Sequence, residues 1–436
     1  MKINSYSVYK FLLFLLVLLP IYQDSPLSLY FGAAGYTLLM PLVYIFILIY
    51  VLFNGKIPKN RFLYELVKLG IWIVIISYAA IIIWVMMGNS LTVVSEFLPY
   101  KALKVCLQYF AYPAYIMLII IICRKIGAKF IGKYSFVALI VITLICLCEL
   151  RDSPYAFQNL HFAAEFPYWR VRLLSLESSW TAMTIYVYTF ISLYWTIVVD
   201  RKMINKVIVI VCAVILLSAT GSRALMLTVA ITAVLYLFFG MKKLSRKVIM
   251  YFFVAIAAII LFTQLILPQI IDGFTRDIED YTSIATRVYT SLIGLGIGIC
   301  FPCGVGGAVY LGVLQQALSK YLYVFSKLPI ELNISEIVSL ATRTTDQALT
   351  VKSGLFHMNM YWGILGTIYL LRNFVRLSKS LRNTCIPKIE VLLAAFWCTV
   401  VLITASSNFS FEFWLLYAFM LCLYETHNKE EIADEE

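Results

Sequence analysis

Apolar runs long enough to cross a lipid bilayer recur along this chain from residue 8 to residue 425, and nothing else constrains its fold as tightly. A hydrocarbon core of about 30 Å takes roughly 20 apolar residues in helical form. Roughly twelve runs of that order are legible: 8–22, 28–53, 66–87, 103–123, 134–150, 181–199, 205–221, 224–240, 248–270, 353–371, 389–405 and 411–425. Inside lipid every backbone N–H and C=O must find its partner within the segment, so runs of this length imply helices. With 62% hydrophobic and 13% charged residues over 436 positions, no stretch is polar enough to fold alone as a soluble domain. The chain reads as an all-α polytopic membrane protein, a single integral domain over 1–436. Its opening, MKINSYSVYKFLLFLLVLLPIY, has the basic start of a signal peptide but no small-x-small cleavage site, and reads as a retained first helix.

The net charge of +12 would suit a nucleic-acid binder, but its placement points elsewhere. Lys2, Lys10, Lys429 and the basic residues within 56–68, 124–133, 201–206, 242–247 and 372–388 all fall on one side of the expected spans. That is the positive-inside pattern, so both termini are expected in the cytoplasm and no nucleic-acid partner is needed. Cys106, Cys123, Cys146, Cys212, Cys398 and Cys422 sit singly in apolar runs, where a thiol behaves as a small hydrophobe. The ten cysteines form neither a disulfide framework nor a zinc spacing.

The opposite, outer face is the chemically mixed one. It carries Asp24, Glu149 and Glu412 and the two long connections, 151–180 and 271–352. The second contains GLGIGICFPCGVGG, residues 294–307. A dinucleotide loop would need glycine where Ile299 stands, with a strand before it. Cys300 and Cys303 lack the context of a redox pair. The apolar run 288–301 is short and glycine-rich, and counting it as a span would reverse every later loop. It is expected as an interfacial helix.

Charges that interrupt apolar segments cost at least about 2.5 kcal/mol each near membrane depth, which makes them candidates for function. WRVRLLSLESSW places Arg170, Arg172 and Glu177 ahead of a helix that Ser178 or Ser179 could cap. Gly221-Ser222-Arg223 forms a very short outer turn, where a snorkelling arginine is the simplest structural reading. In the larger loop, Arg287 precedes the glycine-rich run, with Arg343, Asp346, Lys352 and His357 further on. A lone histidine on an apolar face is more often structural than catalytic. Together the arginines would line a cationic outer pocket, and guanidinium forks match phosphate oxygens in a bidentate way.

These residues, in this order, resemble the O-antigen polymerase and ligase superfamily, and more narrowly Wzy-type polymerases of O-antigen or capsule. The likeness rests on Arg172 to Glu177-Ser-Ser before a helix, Gly221-Ser222-Arg223-Ala224 at a hairpin tip, and Thr286-Arg287 leading to Pro302-x-Gly304-x-Gly306-Gly307. Gly363-Ile-Leu-Gly366 completes it, and the likeness covers about Arg170 to Leu371. It implies a GT-C-like glycosyltransferase in the bacterial inner membrane, working on the outer face without nucleotide sugar, metal or other cofactor. Both donor and acceptor would be undecaprenyl-diphosphate-linked oligosaccharides, and a separate chain-length regulator is an implied partner besides the bilayer. By motif position Arg223 and Arg287, and more loosely Arg172, would bind the substrate diphosphate, and preorganised cations suit its developing charge. Gly304, Gly306 and Gly307 would let the backbone pass close to substrate.

The general base is left between two residues. Glu177 resembles the Glu-Pro-Ser signature of some polymerases, with Ser178 where the proline would be. His357 lies five residues later than the histidine that ligases place before Gly-x-x-Gly, so Glu177 is preferred and the ligase alternative weakened. A flippase or transporter of the lipid-linked unit is the other alternative. It would hold its charges at the bundle midplane, away from two long loops on one side.

Overall fold

The computed structural model describes residues 5–31, 35–54, 57–164, 166–220, 228–229, 231–232, 234–236, 282–325, 334–345, 349–405 and 408–435. The chain is all-α. The helices are α1 (Ser5–Leu18), α2 (Ser28–Phe31), α3 (Leu39–Asn54), α4 (Arg61–Met86), α5 (Leu98–Ile126), α6 (Lys129–Asp152), α7 (Ser178–Trp195) and α8 (Met203–Thr220). After the segment outside the described residues come α9 (Thr282–Cys300), α10 (Tyr310–Phe325), α11 (Ser335–Ala341), α12 (Gly354–Asn383), α13 (Ile389–Ala405) and α14 (Phe411–Glu435). A two-stranded antiparallel ladder, β1 (Thr92–Val93) with β2 (Glu96–Phe97), turns the chain between α4 and α5.

Among the described residues, five helices are long and apolar enough to cross a membrane: Arg61–Met86, Leu98–Ile126, Lys129–Asp152, Trp180–Asp200 and Met203–Thr220. Tyr6–Ile21, Leu39–Phe53, Thr286–Cys300 and Ile389–Ala405 are shorter apolar helices. The expected span at 248–270, and most of the one at 224–240, lie outside the described residues. The surface supports embedding. On α4, Ile71, Ile75 and Ile82 are 50%, 56% and 61% exposed on one stripe, and Leu144 and Leu147 of α6 and Ile210 and Val214 of α8 repeat the pattern. Such a stripe is costly against water and neutral against acyl chains.

Side-chain pairs define the two ends of the bundle. At one, Arg124 of α5 forks onto Glu425 of α14 through Nε at 2.8 Å and Nη2 at 2.9 Å, and Asn60 before α4 donates to the same carboxylate at 2.7 Å. At the other, Gln23, Thr184 and Glu412 bring together α7, α14 and the segment after α1, while Glu149 of α6 accepts from Leu173, next to the Leu174 carbonyl that takes the Gln23 N–H. Between them an aromatic core of Phe374, Phe396, Phe413, Trp414 and Tyr417 fixes α12 to α13 and α14.

The connection expected as a long loop over 271–352 carries three helices, α9, α10 and α11. The expected apolar helix at 288–301 is α9, extended at its start and ended before Pro302. One face of α9 buries Tyr289, Ile293 and Ile297, while Val288, Leu292 and Ile299 stay exposed. Its inward face packs on α12, which breaks at Gly363, where φ is 71° and ψ is −177°. Residues 302–307 thread into that break: Val305 and Gly306 N–H donate to the carbonyls of Met360 at 2.8 Å and Tyr361 at 3.2 Å, and Leu365 N–H donates to Pro302 O at 3.2 Å. The carbonyls freed by the helix break thereby regain partners.

Candidate functional site

The segment 153–177, between α6 and α7, holds little regular structure, and its shape comes from carboxylates beneath it. Glu149, buried near the end of α6, accepts the backbone N–H of Arg172 at 2.9 Å and of Leu173 at 2.7 Å. Leu173 has a positive φ of 53°, and this pair of bonds is what holds it there. Asp24, fully buried, accepts the backbone N–H of Phe162, Ala163 and Ala164 at 3.1, 2.9 and 3.2 Å, and Nδ1 of His161 at 3.0 Å. A turn carrying its own buried N–H groups needs such an acceptor, because each unsatisfied group costs about 1–3 kcal/mol. Beside Asp24, Gln23 donates to Thr184 at 3.3 Å and to Glu412, which also accepts from Thr184 at 2.9 Å.

Burial pushes the Asp24 carboxyl up, but the His161 hydrogen bond, the amides of Ala163 and Ala164 and the imidazole charge outweigh it, holding the group below its ordinary value. Arg172 is 1% exposed. Its guanidinium lies over Phe166 at 4.3 Å and Tyr168 at 4.4 Å, a cation–π sandwich. Burial pulls it below its ordinary value, against the opposing charges of Tyr168, Glu149 and Asp24.

Glu177 is exposed and takes the N-cap position of α7 with an extended backbone, making no side-chain cap bond. The cap expected from Ser178 or Ser179 comes from elsewhere. Ser178 is already the first helical residue, and its N–H donates to the Tyr168 hydroxyl at 3.0 Å. Tyr168 therefore caps α7 and covers Arg172 together.

A second grouping surrounds α9. Arg287 is half-buried there and makes no hydrogen bond or ion pair among the described residues. Thr286 next to it donates to Glu336 of α11 at 2.8 Å, and Glu336 pairs with Lys352 at 3.7 Å. The Lys352 N–H in turn donates to Thr290 at 3.2 Å, one turn beyond Arg287. Further along, His357 of α12 hydrogen-bonds the Tyr361 hydroxyl through Nε2 at 2.6 Å and lies edge-on to Tyr310 at 5.3 Å, within the field of Lys101.

The glycines expected near substrate meet the protein's own chain. A Cβ on Gly304 would overlap the Tyr361 carbonyl, one on Gly306 the Ser77 backbone, and one on Gly307 would lie 2.5 Å from Val105 Cγ1. Gly304 and Gly306 also have positive φ, 92° and 74°. Their lack of a side chain is thus explained by close packing. Arg223 and Asp346 lie outside the described residues. Cys300 and Cys303 are exposed free thiols.

The structure thus brings Arg172 near Glu149, Asp24 and His161, and it sets Lys352 and Glu336 against Thr286 and Thr290, which flank Arg287 on α9. His161 is absent from the sequence expectations. With only three histidines in the chain it was visible, but nothing local ties it to Asp24, which is 137 positions away. Among the described residues no group of His, Cys, Asp and Glu is arranged to hold a metal. The chain matches no protein-family model and no curated protein.

Proposed function

We propose that this protein is a membrane glycosyltransferase that polymerises lipid-diphosphate-linked oligosaccharide repeat units on the outer face of the bacterial inner membrane. On this reading the chain crosses the membrane about twelve times, keeps both termini in the cytoplasm, and presents 151–180 and 271–352 outside. The reading rests on the sequence resemblance, and the observation that carries it is Arg287. A half-buried guanidinium with no hydrogen bond or ion pair among the described residues has its donors available for an anion, and Lys352 stands close to the same helix.

A diphosphate leaving group is such an anion. The acceptor hydroxyl oxygen attacks the anomeric carbon of the donor glycan, and the bond from that carbon to the diphosphate oxygen breaks. The electron pair leaves with the diphosphate, and a base takes the hydroxyl proton. Arg287, with Arg223 by motif position, would meet the charge that grows on the leaving oxygen. Arg172 would join them only after its aromatic cover opens, since Phe166 and Tyr168 enclose it.

The test is a gel of surface polysaccharide from cells lacking the gene, complemented with the wild-type chain or Arg287→Ala. The expected outcome is a long ladder with the wild type and single repeat units with the mutant at equal membrane levels. Long carrier-linked polymer in the deletion would identify a ligase, and lipid-linked single units trapped inside would identify a flippase. A normal ladder from Arg287→Ala would remove the diphosphate role.

A further inference from the structure

Asp24 and His161 form a buried dyad whose chemistry is not used by the turn it anchors. The Asp24 carboxylate already accepts N–H groups from Phe162, Ala163 and Ala164, so it meets His161 as an acceptor too. Nδ1 of the imidazole must then be the donor, across 3.0 Å. In the neutral ring this fixes the tautomer and leaves the lone pair on Nε2. That nitrogen is buried and has no hydrogen-bond partner among the described residues. Both side chains are 0% exposed.

A purely structural histidine here would be satisfied at both nitrogens or would turn one to solvent. An oriented imidazole with a free acceptor nitrogen, backed by a carboxylate, is the arrangement that prepares a general base. Charged groups surround it. Glu149 of α6 lies within electrostatic range of the ring, and Arg172 lies against Phe166, which packs edge-on to His161 at 5.7 Å. Glu177, by contrast, is exposed.

We propose that Nε2 of His161, oriented by Asp24, is the proton acceptor for the acceptor sugar hydroxyl, in place of Glu177 or His357. The assignment rests on the polymerase reading above. The oxygen–hydrogen bond of the acceptor breaks as the new glycosidic bond forms. The proton passes to Nε2, the diphosphate leaves with the electron pair of the broken anomeric bond, and the imidazolium later returns the proton to water. Nε2 is buried in this structure, so the acceptor reaches it only when the packing around the ring, which includes Phe166, opens.

The experiment uses the full-length chain in lipid vesicles, with lipid-diphosphate-linked repeat units extracted from polymerase-deleted cells as substrate. His161→Asn is the informative variant, because an amide nitrogen can replace Nδ1 as donor to Asp24 while nothing replaces Nε2. The expected result is a loss of about 100-fold or more in polymerisation rate, unchanged protein level and thermal midpoint, and disappearance of the acid limb of the pH–rate profile. Full activity, or a lower rate with the acid limb intact, overturns the assignment and leaves the polymerase reading standing. A wild-type chain that forms no polymer overturns that reading itself. Should His161→Asn not accumulate, imidazole nitrogen resonances of the wild-type chain decide, assigned through His161→Gln. A proton on Nδ1 supports the dyad, and a proton on Nε2 in the neutral ring refutes it.

Discussion

Two segments with little regular structure are pinned in place by opposite means. The segment 153–177 is held by buried carboxylates that accept backbone N–H groups, Glu149 from below and Asp24 from the side. The segment 302–307 is held backbone to backbone, slotted into the broken helix α12 where Gly304, Gly306 and Gly363 leave no Cβ in the way. The first arrangement places ionisable groups at the bundle end and can respond to protons. The second is steric and cannot. Buried carboxylates and a close-packed glycine seam both fix a chain, but only the former brings chemistry with it.

Gly363→Ala should have the largest effect. Its Cβ would overlap the Pro302 carbonyl, and its φ of 71° with ψ near 180° is a region that side chains rarely enter. A cost of about 3 kcal/mol or more is expected, read as loss of folded protein from the membrane. Recovery of wild-type levels would show that the seam yields more readily than its geometry indicates. Next comes Glu149→Ala, which strands the N–H groups of Arg172 and Leu173 at about 1–3 kcal/mol each. Protease added from the loop side should then cut within 153–177 while the rest of the chain stays intact, and equal resistance would remove Glu149 as the anchor.

The pH response separates the two segments further. Because the Asp24 carboxyl is held below its ordinary value, it contributes stability that is fully present above the unfolded carboxylate value of about 3.9 and is lost as pH falls through the lower folded value. Hydrogen exchange of 161–164 should therefore rise on acidification while that of 302–307 does not, and parallel behaviour would break the comparison. The smallest effect is a control within α9. At Gly296 a Cβ would meet nothing within 4 Å, whereas at Gly298 it would overlap the buried Asn359 amide. Gly296→Ala should leave the thermal midpoint unchanged or raise it by the equivalent of about 0.5–1 kcal/mol, and Gly298→Ala should lower it.

Much was written in periodicity and charge. Apolar runs separated by short basic connections announced an all-helical membrane chain, because backbone in lipid has few other ways to satisfy its polar groups. Pro302 marked the end of α9, and the apolar run before it marked most of that helix. Glycines at 304, 306 and 307 marked close approach, though the sequence suggested substrate and the structure shows Tyr361, Ser77 and Val105.

What tertiary structure alone decided is who meets whom at the loop end. Asp24 and His161 lie 137 positions apart, and Gln23 and Glu412 lie 389 apart. No local pattern pairs them, because each partner's own segment is consistent with an ordinary solvated residue. Arg172 reads in sequence as an available cation, and packing encloses it between Phe166 and Tyr168. Helices are set by contacts within a few residues of one another and are therefore written along the chain. A buried hydrogen-bonded cluster is set by which helix ends converge, and convergence is a property of the packed bundle.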